Sequence, residues 1–153
     1  MKDIKKLKPS KSSRYDQGYI DPKSCKKIFE SQKNKPIIYR SSYEKKVIMW
    51  LETNKNVERW SSESVCIPYN IPGDSKTHYY WPDYLVQLTD KTIILVEVKP
   101  LSQTKAPSKV YDKNSTVYNT YIKNYYKWKA AKEFCEKNNF LFKIITEKTI
   151  NLL

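Results

Sequence analysis

The chain has 153 residues, of which 39% are hydrophobic and 14% aromatic. That suits one domain with one core and excludes wholesale disorder. Its 29 Lys and Arg against 16 Asp and Glu give a formal net charge of +13, a self-repulsion that a polyanionic partner would offset.

Nucleic acid is the first candidate partner, because each neutralised phosphate releases counterions and adds affinity. An anionic membrane is the rival. It calls for an amphipathic basic helix or an apolar anchor, and neither is evident in the sequence. Two glycines in the whole chain rule out a Gly-rich phosphate loop. Cys25, Cys66 and Cys135 fit no zinc spacing, and their odd number argues against a disulfide framework. They read as free thiols in a reducing compartment. The start Met1-Lys2-Asp3-Ile4-Lys5-Lys6 predicts no signal peptide, and no stretch approaches a membrane span.

Residues 1–20 are lysine-rich without periodic apolar positions. They read as a basic N-terminal arm, for binding or merely for solubility, ahead of a single domain over 21–153. Pro22 to Gln32 has the length for a short helix. Ser41 and Glu44 match a capping box that opens a helix to about Asn54, with Tyr43, Val47, Trp50, Leu51 and Asn54 on one face. Short strands are expected at Val57–Ser61 and Ser64–Tyr69, then a turn at Asn70–Asp74. Thr77–Trp81 leads into Pro82-Asp83 and a strand from Tyr84 to Leu88. Thr89-Asp90-Lys91 is a turn. Thr92–Val98 is the most apolar stretch, and Ile93-Ile94-Leu95-Val96 predicts a central strand buried on both faces, ended by Pro100. Residues 100–117 are Pro, Ser, Thr and Lys-rich and read as a loop. Tyr121–Lys137 is a second long helix, with Tyr121, Tyr125, Trp128, Ala131 and Cys135 towards the core. Phe140–Thr146 is a last strand. The order predicts an α/β layer arrangement with a mixed sheet.

The hairpin around Asp90 concentrates the chemistry. Asp83 lies seven residues before Asp90 and Glu97 seven after it, so in that register the two face each other, with Cβ atoms roughly 4.5–5.5 Å apart. Side chains alternate along a strand, so Lys99 shares the face of Glu97. Two opposed carboxylates destabilise a sheet unless something offsets them, and Mg²⁺ takes oxygen ligands, often one or two carboxylates plus substrate phosphate. The bare acid-any-lysine pattern is uninformative, since it recurs at Asp3/Lys5, Asp21/Lys23, Glu44/Lys46 and Asp74/Lys76. Only Glu97/Lys99 leaves a strand expected to be buried, where charges are costly unless paired or functional. The alternative is a structural ion-pair cluster at a sheet end.

Pro82-Asp83 followed by Glu97-Val98-Lys99 resembles the signature of the PD-(D/E)xK nuclease superfamily. Tyr39-Arg40-Ser41-Ser42-Tyr43-Glu44 is similar to the helix start of transposon-encoded endonuclease subunits of that class. At whole-chain level the size, basic start and motifs are most like the head-completion nucleases of T-even-type tailed phages. The resemblance implies a restriction-endonuclease-like α-β-β-β-α-β core over roughly residues 39–146. It implies a metal-dependent DNA endonuclease that hydrolyses phosphodiester bonds, using Mg²⁺ for which Mn²⁺ substitutes. Asp83 and Glu97, with the Val98 carbonyl, would hold the metal, and Lys99 would orient water or stabilise developing charge. Glu44 has two readings of equal weight: a helix cap, or a further metal ligand. The same resemblance implies DNA and other phage head or neck proteins as partners, in the host cytoplasm or with the virion. A non-catalytic DNA-binding head-neck protein, or a restriction- or transposition-type endonuclease, would share these features.

Lys123, Lys127 and Lys132 run near one side of the second helix beside Tyr125 and Tyr126. They would grip phosphates while aromatics pack or stack on bases, or form a solvated face. Lys105 and Lys109 in the loop are weaker candidates for closing on DNA. His78 is the only histidine and reads more readily as a packing or surface residue than as a substrate contact.

Overall fold

The computed structural model describes residues 16–108 and 114–150. The expected arm therefore lies mostly outside the described residues. Its end does not: Gly18–Ile20 is strand β1, paired antiparallel with β2, Ile37–Tyr39. Between them Pro22–Ser24 and Glu30–Gln32 are single 3₁₀ turns, in place of the short helix expected over Pro22–Gln32. Each turn opens locally, the first on an Asp21 side chain that accepts from the Lys23 N–H at 2.9 Å. Neither stretch has enough apolar periodicity to propagate a helix.

Helix α1 spans Ser42–Thr53. Its buried face is Val47, Ile48 and Leu51, whereas Tyr43 is exposed. The carboxylate of Glu52 fixes its far end. It accepts from the indole N–H of Trp60 at 2.7 Å and from the backbone N–H groups of Lys26 and Lys27 at 2.8 and 3.2 Å. This ties residues 26–29 along strand β3, Val57–Ser62. Phe29 N–H donates to the Trp60 carbonyl and Trp60 N–H to the Lys27 carbonyl. The outer edge of β3 is thereby covered, as exposed sheet edges generally need to be.

The main sheet has the order β3-β6-β7-β8, with β6 at Tyr84–Leu88, β7 at Ile93–Val98 and β8 at Leu141–Ile145. β3, β6 and β7 are antiparallel neighbours, and β8 runs parallel to β7. The parallel step requires a crossover, supplied by helix α2, Thr116–Asn138. A small hairpin, β4 (Ile67–Tyr69) and β5 (His78–Tyr80), is inserted between β3 and β6. The result is the mixed α/β fold expected, with the α-β-β-β-α-β order of a restriction-endonuclease-like core.

The two faces of β7 divide the core. Ile94, Val96 and Val98 pack with Val47, Ile48, Leu51 and Trp60 on the α1 side. Leu95 packs with Ala131 and Cys135 of α2 and with Ile67, Tyr69 and Tyr80 of the small hairpin. Along α2 the buried positions are Asn124, Ala131 and Cys135; Ala131 and Cys135 lie on the expected core face and Trp128 packs against it, whereas Tyr125 is 50% exposed. The core meridian passes through residue 124, and each step along a helix turns about 100°, which carries Tyr125 outward against Tyr126. Cys25, Cys66 and Cys135 are free thiols. Among the described residues no helix is long and apolar enough to cross a membrane.

Candidate active site

The β6–β7 turn sets the site. Asp90 caps the Thr92 N–H at 2.9 Å, and Lys91 takes a left-handed conformation with φ 73°, a geometry that turns accept more readily than strands. The resulting register pairs Tyr84 with Val96, Leu85 with Leu95 and Val86 with Ile94. Continued by one rung, it sets Asp83 beside Glu97. Asp83 itself stands just outside the strand, after the fully buried Pro82. Its Oδ2 accepts from the Val98 N–H at 2.7 Å, and its carbonyl accepts from the Glu63 N–H at 3.0 Å. The aspartate is thus anchored to both neighbouring strands.

Glu97 is only 3% exposed, and both of its oxygens are engaged. Oε1 pairs with the Lys99 ammonium at 3.0 Å, and Oε2 accepts from the Tyr80 hydroxyl at 2.7 Å. Burial, reinforced by the adjacent Glu97 charge, holds the Asp83 carboxyl well above the usual carboxylate range. Burial alone would lower the Lys99 pKa, but Glu97 and Asp83 outweigh it and keep the ammonium charged. Burial also pushes the Tyr80 phenol strongly upward, with Glu97 adding to the effect, so this hydroxyl is a donor at any working pH.

Lys127 is the lysine of α2 that the fold brings to this centre. Its ammonium sits 5.5 Å from the centroid of the Tyr80 ring. Burial lowers its pKa, while Glu97 pulls the other way. Lys123 and Lys132 are exposed, as is Lys105. Lys109 lies outside the described residues. His78 is held away from the chemistry, stacked on Tyr69 and 2.8 Å from the Asp74 carboxylate.

Glu44 occupies the first turn of α1. The Ser41 hydroxyl accepts from the Glu44 N–H at 3.2 Å, one half of the expected capping box. The other half is shifted by a residue: the Glu44 carboxylate accepts from the Arg40 N–H at 2.8 Å and from the Ser41 hydroxyl at 3.3 Å. Burial raises its pKa and these donors oppose the shift. Tyr84 of β6 donates its hydroxyl to the Glu44 carbonyl at 3.3 Å, so the helix start is fastened to the sheet beside Asp83.

The sequence reading missed three contributors. Tyr80 was lost in a tyrosine-rich strand. Arg40 pairs with Glu63 at 2.6 Å; burial alone would lower its pKa, but Glu63 outweighs that, with Glu44 and Asp83 adding to the effect. Glu63 adopts φ 45°, uncommon for a side chain of this kind. No local pattern announces an Arg40–Glu63 pair formed across α1 and the end of β3.

Among the described residues no three His, Cys, Asp or Glu side chains gather into a metal-binding cluster. The donor set that is present nevertheless suits Mg²⁺. This ion is commonly bound by one or two protein carboxylates, with water and substrate phosphate completing the shell. Asp83 and Glu97 supply such a pair, and a divalent cation would relieve the like-charge penalty that raises the Asp83 pKa.

Residues 54–147 match the family described as TnsA-like endonuclease N terminal, a stretch that includes Asp83, Glu97 and Lys99 and starts after Glu44. The chain is also 30% identical over 126 residues to the head completion nuclease of Enterobacteria phage T4, covering 78% of this chain and 84% of that protein. The chain therefore belongs to the TnsA-like endonuclease N-terminal family of PD-(D/E)xK-type nucleases.

Proposed function

We propose that this protein is a Mg²⁺-dependent endonuclease that hydrolyses phosphodiester bonds of packaged DNA while a phage head is completed. One observation carries the chemistry: a buried glutamate bonded to a charged lysine, beside an aspartate with a raised pKa, at the open ends of two central strands. The similarity to a phage head completion nuclease supports the setting, in the host cytoplasm and on the particle, with head or neck proteins as neighbours.

Asp83 and Glu97 would hold the Mg²⁺, with the Val98 carbonyl as a further oxygen; Mn²⁺ is the expected substitute. When bound, the ion would polarise the scissile phosphate and acidify a water. The protein's own groups do the rest. Lys99 shares the face of Glu97 and stays protonated, so its ammonium can orient the attacking water and stabilise charge developing on the phosphate oxygens. Water adds to phosphorus, the bond to one ester oxygen breaks, and that oxygen leaves with a proton. Tyr80 fixes Glu97 through Oε2 and thereby holds Oε1 for the site. Lys127 presents a second positive charge where the phosphate backbone must pass, and the exposed Lys105, Lys123 and Lys132 extend the basic surface along the DNA. Glu44 serves here as the cap of α1, since both Arg40 and Ser41 claim its carboxylate.

The test is cleavage of covalently closed circular DNA by the purified full chain. Nicking or linearisation with Mg²⁺ or Mn²⁺, and none with EDTA, is expected of an endonuclease. Salt-sensitive binding with no cleavage under any metal would instead favour the non-catalytic head-neck reading.

A further inference from the structure

A cavity of about 270 Å³ lies between the loop that leaves β7 and the first turns of α2. Gln103 and Pro107 form one wall, and Val117, Thr120, Tyr121 and Asn124 the other. Asn124 is only 6% exposed, and its side-chain amide makes no hydrogen bond to any described residue. On a core face continued by Ala131 and Cys135, the Asn124 amide opens into the cavity and offers its donor and acceptor to what enters it.

Both walls of the cavity continue in sequence from residues of the catalytic centre. The loop wall begins just after Lys99 and Pro100. On the helix wall, Asn124 and Lys127 are three residues apart on one face, so their Cβ atoms are neighbours at roughly 5–6 Å. A strand whose phosphate lies at Lys99 and Lys127 therefore delivers its adjacent nucleotide to the cavity mouth. The space is just below the range of pockets for drug-sized ligands, about 300–1,000 Å³, which suits a single base. The lining suits it too. Tyr121 and Pro107 offer apolar surface, Asn124 offers a donor and an acceptor together, and Lys105 stands at the rim.

We propose that this cavity receives one unpaired nucleobase of the substrate strand, with Asn124 bonding its edge. The inference rests on the nuclease reading and narrows its substrate to DNA with an unpaired nucleotide beside the cut, such as a single-stranded end or a junction. A base stacked in a duplex reaches the cavity only by leaving the stack, which costs energy that an unpaired base does not pay.

The test needs no cleavage. Binding of the full chain to a short oligothymidylate is compared, in EDTA, with binding to an abasic oligomer of equal length and phosphate charge. The wild type is expected to prefer the oligothymidylate about ten-fold, within the range seen for base–aromatic sites. Asn124→Ala, and independently Val117→Trp, which fills the cavity, should erase most of that preference and leave binding to the abasic oligomer unchanged. Equal binding of both oligomers by the wild type, or a preference that survives both substitutions, would overturn the proposal. Nuclease activity without base preference refutes the pocket alone. Base preference without nuclease activity refutes the catalytic reading alone.

Discussion

Replacing Tyr80 by Phe removes one oxygen and isolates the bond that holds Glu97. Tyr80 is 4% exposed and Glu97 3%, so no solvent stands ready to replace the 2.7 Å hydrogen bond. Hydrogen bonds to charged groups contribute about 1.5–3 kcal/mol, and the orphaned Glu97 Oε2 would keep its desolvation penalty. The substitution should therefore cost the metal-free protein about 2 kcal/mol in urea unfolding, with an unchanged m-value. It should also loosen the carboxylate. Outer partners of metal ligands are typically worth 10–100-fold in affinity or activity, so Mn²⁺ binding measured by calorimetry should weaken by about ten-fold or more. Stability and Mn²⁺ affinity both equal to wild type would refute the reasoning, because a bond in this position cannot be removed without consequence. Lost stability with intact metal affinity would show that Tyr80 supports the fold and not the site.

Further predictions follow from the same geometry. Asp83→Asn keeps an oxygen for the Val98 N–H but cannot ionise. Because the Asp83 pKa is raised on folding, the folded wild type holds its proton to higher pH and loses stability as pH rises from about 4. Metal-free Asp83→Asn should thus be more stable than wild type near pH 8, by about 1–2 kcal/mol, with the gap closing towards pH 4; a gap independent of pH would count against the buried carboxylate pair. Ser41→Ala should cost about 1 kcal/mol as a lost N-cap, whereas Glu44→Gln, which can still accept from the Arg40 N–H, should leave Mn²⁺ affinity unaltered. A sharp drop in that affinity would make Glu44 a ligand after all. Lys127→Met should weaken DNA binding regardless of sequence and reduce the slope of log affinity against log salt by about 1; an unchanged slope would remove Lys127 from the phosphate path.

The parts of this architecture that were legible in the sequence are those set by short-range rules. The Asp90 turn fixes a register, and the register fixes which side chains oppose one another, so the Asp83–Glu97 neighbourhood and the shared face of Lys99 could be read before any fold was known. The same holds for β7, whose unbroken apolar run demanded burial on both faces, and for α1, whose Ser41 cap marks its start. What could not be read depends on contacts distant in sequence. Tyr80 meets Glu97 only because the β4–β5 hairpin packs over α2. Arg40 meets Glu63 only once α1 lies beside the end of β3. The β1–β2 pairing joins segments separated by a loop with two 3₁₀ turns and no periodic signal. On α2 the expected Ala131 and Cys135 are buried, but Tyr125 was favoured over Asn124, and a buried asparagine beside a cavity leaves no trace in hydrophobic patterning.

The measurement that bears most directly on the account is single-turnover cleavage of DNA by wild type, Asp83→Ala and Lys99→Ala at saturating Mg²⁺, with DNA binding measured in parallel. The account predicts that wild type alone cleaves at an appreciable rate, that EDTA abolishes it, and that both variants still bind DNA. Cleavage that persists in Asp83→Ala or Lys99→Ala would contradict the assignment of the catalytic centre to the ends of β6 and β7.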